Sequence, residues 1–321
     1  MPCEYGLEGA FAENLRYLGS RHRVVSSNGY PRIRMSVGQQ AVRAFRKLFG
    51  DFSYRKKLQL RKDMPQMWER IGADPFDYAF CIRPDLLPPE ELEKIKSRAR
   101  RSFGYTWDGL GRFEGTLQRR QFFDKLYVFD PADANPTGGI HLLGNFYFDC
   151  YPDSLPKLDL PEADAYFIGT FDRRWTVVKK ICEELLAIGL KPDVQQFVRN
   201  PRTLPPLPSY VKVFSEHKPY PQALAEALRC RILLDIHHAD VHDGLSLRVF
   251  EAIGHGRKLI TTNPLVLSQD FYRTANIYCF GHDARSLEEF VAEPLEALPD
   301  DMRSRYGFSA WIRRALDLQI G

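Results

Sequence analysis

The sequence has no paired cysteines, no long apolar run and no glycine-rich dinucleotide motif. Its six cysteines are scattered without a CxxC pair, which argues against a zinc site and favours reduced thiols. No apolar run approaches the ~20 residues of a membrane span, and the N-terminus lacks the apolar core of a signal peptide. We therefore expect a cytoplasmic protein. Because no GxGxxG follows an early strand, a dinucleotide-dependent oxidoreductase fits the sequence poorly.

The positive charge of the chain is unevenly distributed. Residues 1–150 carry 24 Lys and Arg against 18 Asp and Glu, whereas the remainder carries 21 against 23. The excess is concentrated between Arg43 and Lys62, where eight basic residues accompany one acid, Asp51. Such a run is often a solvated helix face. Alternatively it is a surface for an anionic acceptor or for anionic lipid, which would allow peripheral contact at the inner face of the membrane. Without a nucleic-acid-binding motif, nucleic acid is not an expected partner.

The length and the order of predicted elements indicate two α/β domains. A chain of 321 residues is long for one core, and two domains of about 150 residues are the default expectation. Short apolar strands alternate with polar loops and helices, which predicts parallel sheets. Residues 140–162 are rich in proline, aspartate and aromatics and are typical of an interdomain connection. We predict an N-terminal domain at 1–150, a C-terminal domain at 151–300, and a terminal helix at 301–321 that packs back toward the N-terminal domain.

One stretch, residues 232–263, predicts a phosphate-binding βαβ unit. A buried strand from Ile232 to Ile236 leads through a polar loop to a helix that should start near Gly244 and Leu245, and a second strand follows at Lys258 to Thr262. Ligands of parallel sheets sit beyond the carboxyl ends of the strands. Free amides at a helix start attract phosphate, so the amides of residues 245–247 are candidates to bind a diphosphate.

Side chains of the same helix extend the prediction to a nucleotide. Arg248 lies beside the amides of Leu245, Ser246 and Leu247 and would add positive charge. Glu251, three residues further on, lies on nearly the same helix face and could accept a hydrogen bond from a sugar hydroxyl. A nucleotide fits both features.

Several motifs resemble bacterial cell-surface glycosyltransferases of the lipopolysaccharide-biosynthesis and spore-maturation type, which have the GT-B fold. The strongest likeness spans residues 232 to 280, and weaker likeness extends upstream to about residue 75. The matching segments are Gly244-Leu-Ser-Leu-Arg-Val-Phe-Glu-Ala-Ile-Gly254, Lys258-Leu-Ile-Thr-Thr-Asn263, Asp270-Phe-Tyr272, Tyr105-Thr-Trp-Asp108, Val128-Phe-Asp-Pro131 and Phe167-Ile-Gly-Thr170.

The resemblance implies two Rossmann-like domains whose parallel sheets face a central cleft. A nucleotide-sugar donor would be held mainly by the C-terminal domain and an acceptor by the N-terminal one. Asp243 and Glu251 are eight residues apart, similar to the acid pair of retaining GT-B enzymes, in which the second acid binds the donor ribose and the first is normally Glu. The family also has a basic pair after the first C-domain strand. Arg173 and Arg174 are the candidates here, in the loop that begins with Gly169 and Thr170.

Further candidates lie on the loops that end the predicted strands. Asp108 is either an acceptor-side base or a helix cap. The group His237, His238, Asp240, His242 and Asp243 has the composition of metal ligands, but it lacks a second ligand group at helical spacing, so no metal is expected. His238 or His242 would instead hold a donor sugar hydroxyl. Asn263 would line the donor site or cap the next segment.

The sequence thus predicts a glycosyltransferase of the hexosyl type. It would move a sugar from a nucleotide diphosphate sugar to a hydroxyl of a surface glycan or related acceptor, with retention and without a metal or other cofactor. Asp243, His242 and Asp108 are the catalytic candidates. The alternative is a non-catalytic GT-B-like subunit that binds a glycan or a partner enzyme. The donor base, the sugar, the acceptor and the oligomeric state are not encoded in any motif.

Overall fold

The computed structural model describes residues 1, 6–27, 31, 33–49, 54–113, 115–150, 155–201, 204–216 and 218–318. Its helices are α1 (Leu7–Tyr17), α2 (Val37–Leu48), α3 (Tyr54–Ile71), α4 (Pro89–Arg98), α5 (Trp175–Ala187), α6 (Tyr220–Leu228), α7 (Leu247–Gly254), α8 (Leu287–Ala292), α9 (Asp300–Arg305) and α10 (Phe308–Ala315). Its strands are β1 (Phe76–Ile82), β2 (Ala99–Thr106), β3 (Lys125–Val128), β4 (Ile140–Leu142), β5 (Ala165–Thr170), β6 (Pro192–Phe197), β7 (Val211–Phe214), β8 (Ile232–Asp235), β9 (Lys258–Thr261) and β10 (Ile277–Cys279).

The N-terminal sheet is parallel and runs in the order β1-β2-β3-β4. One face is covered by apolar side chains of α3 and α4, among them Met64, Met67 and Leu92. The other face packs against α1 and α10. Both faces of the sheet are covered by helices, which is the usual condition of a parallel sheet.

The C-terminal sheet has the order β10-β9-β8-β5-β6-β7, and all its pairs are parallel. Its chain therefore moves outward from β5 to β7, returns to the other side of β5 with β8, and continues to β10. Ligands of doubly wound sheets bind at the point where the strand order reverses, which here lies between the ends of β5 and β8. The predicted α/β class with two parallel sheets is confirmed.

An aromatic cluster forms where α1 and α10 meet the connection between the sheets. Phe11 of α1 makes edge-to-face contacts with Phe146, Phe148, Phe308 and Trp311, at centroid distances of 5.2 to 6.1 Å. The Trp311 indole N–H donates to the Gly144 carbonyl oxygen at 2.8 Å. The last helix thus packs on the N-terminal sheet and on the connection between the sheets.

The predicted terminal helix is two helices, α9 and α10. The break falls at Gly307, where the chain forms a parallel bridge with Tyr147. The Tyr147 N–H donates to the Tyr306 carbonyl oxygen, and the Phe308 N–H donates to that of Tyr147. Backbone groups that pair across the domains cannot also continue a helix, so the tertiary contact interrupts it. The last three residues of the predicted terminal helix, 319–321, lie outside the described residues. None of the helices in the described part combines the length and apolar character needed to cross a bilayer.

Candidate active site

Two polar loops meet at the switch point of the C-terminal sheet, and we call the place where they meet the crevice. Its two walls are the loop after β5, which runs from Gly169 and Thr170 to Arg174, and the loop after β8, residues 236–246. Thr170 is exposed at the end of its strand. The sequence places an arginine pair on the first loop and histidines on the second, so the topology brings the two predicted groups to one place.

Arg174 is held rigidly between the two loops. Its guanidinium forms three hydrogen bonds of 2.8 to 3.1 Å to the Asp172 carboxylate and one of 3.2 Å to the Ile236 carbonyl oxygen. Burial acts to raise the pKa of Asp172, but the bonds from Arg174 outweigh it and leave that pKa lowered. Asp172 is therefore ionised and fixes the direction of the arginine.

Arg173 is the more exposed arginine of this pair. It forms an ion pair with Asp240, and the two side chains are 60% and 62% exposed. Its Nη2 lies 3.3 Å from Nδ1 of His238. An ion pair this exposed contributes roughly 0–1 kcal/mol, so an incoming anion can replace Asp240 at little cost.

His238 is neutral near pH 7. Burial lowers its pKa, and the positive charges of Arg174, Arg173 and Arg112 lower it further, against a raising effect of Asp172. Arg112 belongs to the N-terminal domain, so both domains contribute cations to the crevice. A neutral imidazole can accept or donate a hydrogen bond to a sugar hydroxyl.

Asp108 lies on the N-terminal wall of the crevice. Its carboxylate accepts from the Gly109 N–H at 3.0 Å and pairs with Arg112 at 2.6 Å. Gly109 abuts the Val241 carbonyl oxygen so closely that a Cβ at this position would overlap it. The loop after β2 therefore contacts the loop after β8 directly, and the Asp108 carboxylate pairs with Arg112.

The loop after β8 is fastened to the N-terminal domain. The Asp243 N–H donates to the buried Asp130 carboxylate at 2.7 Å, while its own side chain is exposed. Asn145 donates to the Leu245 carbonyl oxygen at 2.9 Å and accepts from the Tyr105 hydroxyl. Asn145 and Asp130 were not predicted as site residues, because an interdomain hydrogen bond leaves no local motif.

Within the C-terminal domain, the side chain of Asn263 holds the loop after β8 by hydrogen bonds. The Asn263 amide donates to the carbonyl oxygens of Asp243 and Gly244 at 3.1 and 3.2 Å. Its side-chain oxygen accepts from the Leu265 N–H at 3.0 Å. This is the bond expected if Asn263 caps the segment that follows it. Gly244 packs against the Phe129 ring, where a Cβ would come within 2.6 Å of the ring.

The helix that follows the loop begins later than predicted. Ser246 is the cap of α7, which starts at Leu247, and its hydroxyl accepts from the Arg248 N–H at 3.1 Å. That hydroxyl also donates to Asp235 at 2.7 Å. Gly244 and Leu245 are buried in the loop. The later start has a physical reason, because hydroxyl capping satisfies an amide at the position where the buried loop ends.

Arg248 and Glu251 point into the C-terminal domain. Glu251 is 2% exposed, and its carboxylate accepts from the Tyr220 hydroxyl at 2.8 Å. Arg248 Nη1 is in ion contact with Glu251 Oε2, although neither of these two atoms has hydrogen-bond geometry. The guanidinium lies over the Tyr166 ring at 5.6 Å. In this structure the two predicted donor residues thus contact each other, the Tyr220 hydroxyl and the Tyr166 ring.

The His242 ring lies between the rest of the loop after β8 and Phe129 of the N-terminal domain. It packs edge-on against Phe129 at 5.0 Å, and its Nδ1 is 3.1 Å from the Gly244 carbonyl oxygen. Burial and the neighbouring His237 lower its pKa. Among the described residues no group of three His, Cys, Asp or Glu side chains is arranged to hold a metal ion.

A cavity of about 540 Å³ lies between β3 and β4 of the N-terminal domain and the segments around Leu245 and Leu265 of the C-terminal domain. Tyr127 and Phe129 of the N-terminal domain and Tyr306 of the C-terminal segment supply aromatic walls, and Lys125 and His141 supply polar groups. Leu245 also lines it. The loop after β8 thus reaches both the crevice, through His238, and this aromatic cavity, through Leu245.

Comparison with known proteins gives a likeness of fold. No family model matches the sequence, and no curated protein sequence matches it significantly. Similar solved structures include a glycosyltransferase of kitacinnamycin, with 11% identity, 96% of this chain and 85% of that chain covered, and a TM-score of 0.38. The lipopolysaccharide outer core galactosyltransferase WaaB has 12% identity, 76% of each chain covered, and a TM-score of 0.44. SnogD from Streptomyces nogalater has 15% identity, with 97% and 89% covered, and a TM-score of 0.37. Identities this low concern the fold alone.

Proposed function

We propose that this protein transfers a sugar from a nucleotide diphosphate sugar to a hydroxyl acceptor. The observation that carries the proposal is the meeting of Arg173, Arg174 and His238 at the switch point of the C-terminal sheet. Arginine is suited to phosphate because its planar guanidinium donates two parallel hydrogen bonds. Arg174 is preorganised by Asp172, and Arg173 is free to exchange Asp240 for a phosphate oxygen.

The same arginines support chemistry without a metal ion. When the glycosidic bond to the nucleotide breaks, negative charge develops on the departing diphosphate. Fixed cations aimed at that charge stabilise the transition state. Arg173 and Arg174 would meet the diphosphate, and Arg112 approaches from the opposite domain. Nothing further, neither metal nor organic cofactor, is required in this proposal.

We place the acceptor in the aromatic cavity. Tyr306 offers a half-buried aromatic ring of the kind that sugar rings stack against, and Lys125 and His141 offer polar partners. A surface glycan or glycolipid precursor suits these walls. The loop that carries His242 and the exposed Asp243 reaches both the crevice and this cavity, so we assign these two residues to the reacting centre. Asp108 would act from the N-terminal wall.

Retention of configuration is also part of the proposal. NMR of the reaction product, which identifies the anomer formed, tests it.

The donor assignment is tested by calorimetry with nucleoside diphosphates of the four common bases. Arg173→Ala should lose affinity, whereas Arg231→Ala should not. Arg231 is a matched control, because it forms a comparably exposed ion pair with Asp164 just before β8, away from the crevice. Equal affinities of wild type and Arg173→Ala would refute the assignment.

A second candidate is a subunit that binds a nucleotide or glycan without turnover. The burial of Glu251 and its bond to Tyr220 favour it, because the resemblance assigns that carboxylate to the donor ribose. A panel of nucleotide sugars assayed for slow hydrolysis separates the two. Hydrolysis of one donor supports the transferase, and nucleotide binding without hydrolysis of any donor supports the subunit.

A further inference from the structure

Helix α2 carries its apolar side chains on the outside of the protein. Val37, Phe45 and Leu48 are 84%, 62% and 82% exposed, and Phe49, the residue after the helix, is 76% exposed. Positions 37, 41, 45 and 48 recur every three or four residues and so form one stripe. Every residue of α2 is described, and none is buried. An exposed stripe with several large apolar side chains marks an interaction surface.

The polar side of the same helix faces the rest of the chain. Gln39 and Arg43 are the half-buried positions of α2. A cavity of about 350 Å³ lies on this side, between the helix and residues 33–35. Arg43, Lys47 and Arg55 line it. The orientation is the reverse of that of an ordinary surface helix, in which the apolar side packs on the core.

The helix is formed without help from an apolar partner. Ser36 and Gln39 make a reciprocal capping box, with the Gln39 N–H donating to the Ser36 hydroxyl at 3.3 Å and the Ser36 N–H to the Gln39 side chain at 3.0 Å. Such capping stabilises a helix end by about 1 kcal/mol. The apolar stripe is therefore carried on a helix that is capped at its N-terminal end.

Cations border the exposed stripe and continue beyond it. Arg46 and Lys47 lie on the flanks of the helix, and Arg55, Lys57 and Lys62 are exposed on the following helix. The one acid of this segment, Asp51, lies in 50–53, outside the described residues. A partner must therefore offer both an apolar interior and negative charge. The surface of an anionic phospholipid bilayer has both.

We propose that α2 lies in the plane of an anionic membrane. Val37, Phe45, Leu48 and Phe49 enter the boundary between head groups and acyl chains. A lipid phosphate binds in the cavity behind the helix, to Arg43, Lys47 and Arg55. This contact would hold the protein at a bilayer, and it does not depend on the proposed transferase activity, because α2 is separate from the crevice and from the aromatic cavity.

Co-sedimentation with vesicles tests the proposal on the full chain. The probes are vesicles of phosphatidylcholine alone and vesicles that also contain phosphatidylglycerol. Wild type should bind the mixed vesicles and sediment little with the neutral ones, and added salt should weaken the binding. Phe45→Ser combined with Leu48→Ser should lower the partition coefficient ~10-fold or more. Leu186→Ser is the control, since Leu186 is an exposed apolar residue of α5.

Charge variants and the oligomeric state complete the test. Arg43→Gln combined with Arg55→Gln should weaken binding to anionic vesicles while circular dichroism remains that of wild type. The proposal is overturned if wild type ignores anionic vesicles, or if Phe45→Ser/Leu48→Ser binds them as wild type does. It is also overturned if sedimentation velocity shows a dimer that these two substitutions dissociate, because the stripe would then cover a second copy of the chain.

Discussion

The Asp130 carboxylate of the N-terminal domain accepts a hydrogen bond of 2.7 Å from the backbone N–H of Asp243 in the C-terminal domain. Asp130 is 3% exposed, so the bond is shielded from water. Its second oxygen accepts from the Ala132 N–H at 3.0 Å. One carboxylate thus orders its own turn and the loop that carries the proposed reacting groups.

Removal of this carboxylate should loosen the loop. Asp130→Ala leaves two backbone N–H groups without their acceptor, which costs about 1–3 kcal/mol for each buried group. We expect a lower free energy of unfolding in urea and faster amide hydrogen exchange at residues 241–245. Asp301→Ala, at an exposed position of α9, is the control. Unchanged exchange in the loop would show that Asp130 does not hold it.

Loss of Arg173 should weaken diphosphate binding ~10- to 100-fold, because a charge-assisted hydrogen bond contributes roughly 1.5–3 kcal/mol. Arg174→Gln should have at least as large an effect, since Arg174 also joins the two loops through Ile236. Calorimetry measures both, with Arg231→Ala as the matched control. The proposal fails if the control loses as much affinity as Arg173→Ala.

The pKa of His238 should report an anion in the crevice. Burial and the charge of Arg174 lower this pKa from 6.5, so removal of Arg174 should raise it. A bound diphosphate should raise it as well, because negative charge favours the imidazolium. NMR titration of the ring protons, with and without pyrophosphate, checks both shifts. A pKa that does not respond to pyrophosphate would contradict anion binding beside His238.

His255 should make the protein less stable in acid. Burial lowers its pKa to about 4, with a smaller contribution from Arg257. Since the unfolded chain binds this proton near pH 6.5, folded stability is complete above that pH and falls as the pH drops toward 4. The loss from this one group is about 3 kcal/mol. Urea unfolding over this range should show a flatter dependence for His255→Phe, and an unchanged slope would contradict the prediction.

Glu251→Ala should destabilise the protein by about 3–5 kcal/mol, because it leaves the Arg248 guanidinium in the interior without its counter-ion. Urea unfolding measures this loss. Nucleotide affinity of the variant, measured where it is folded, tests the ribose-binding role that the resemblance implies. If stability is unchanged, the carboxylate is not engaged as the structure shows.

Local chemistry determined the elements of this protein. Apolar runs such as Ile232 to Ile236 predicted buried strands, and the alternation of strands with helices predicted parallel sheets, because only a crossover can join parallel neighbours. The sequence also placed arginines after β5 and histidines after β8. Only the resemblance implied that they meet at one donor site; the residues alone could not predict it, since the order of strands, and hence the switch point, is set by long-range packing.

The sequence by itself determined that α2 has an apolar side and a basic side, and that Arg248 and Glu251 share a helix face, because both follow from helical period. Only the tertiary structure decided which way those faces turn. Glu251 points inward to the Tyr220 hydroxyl, and the stripe of α2 points outward. The helical period determines which residues share a face of a helix. Whether that face is covered depends on segments that are distant in the sequence.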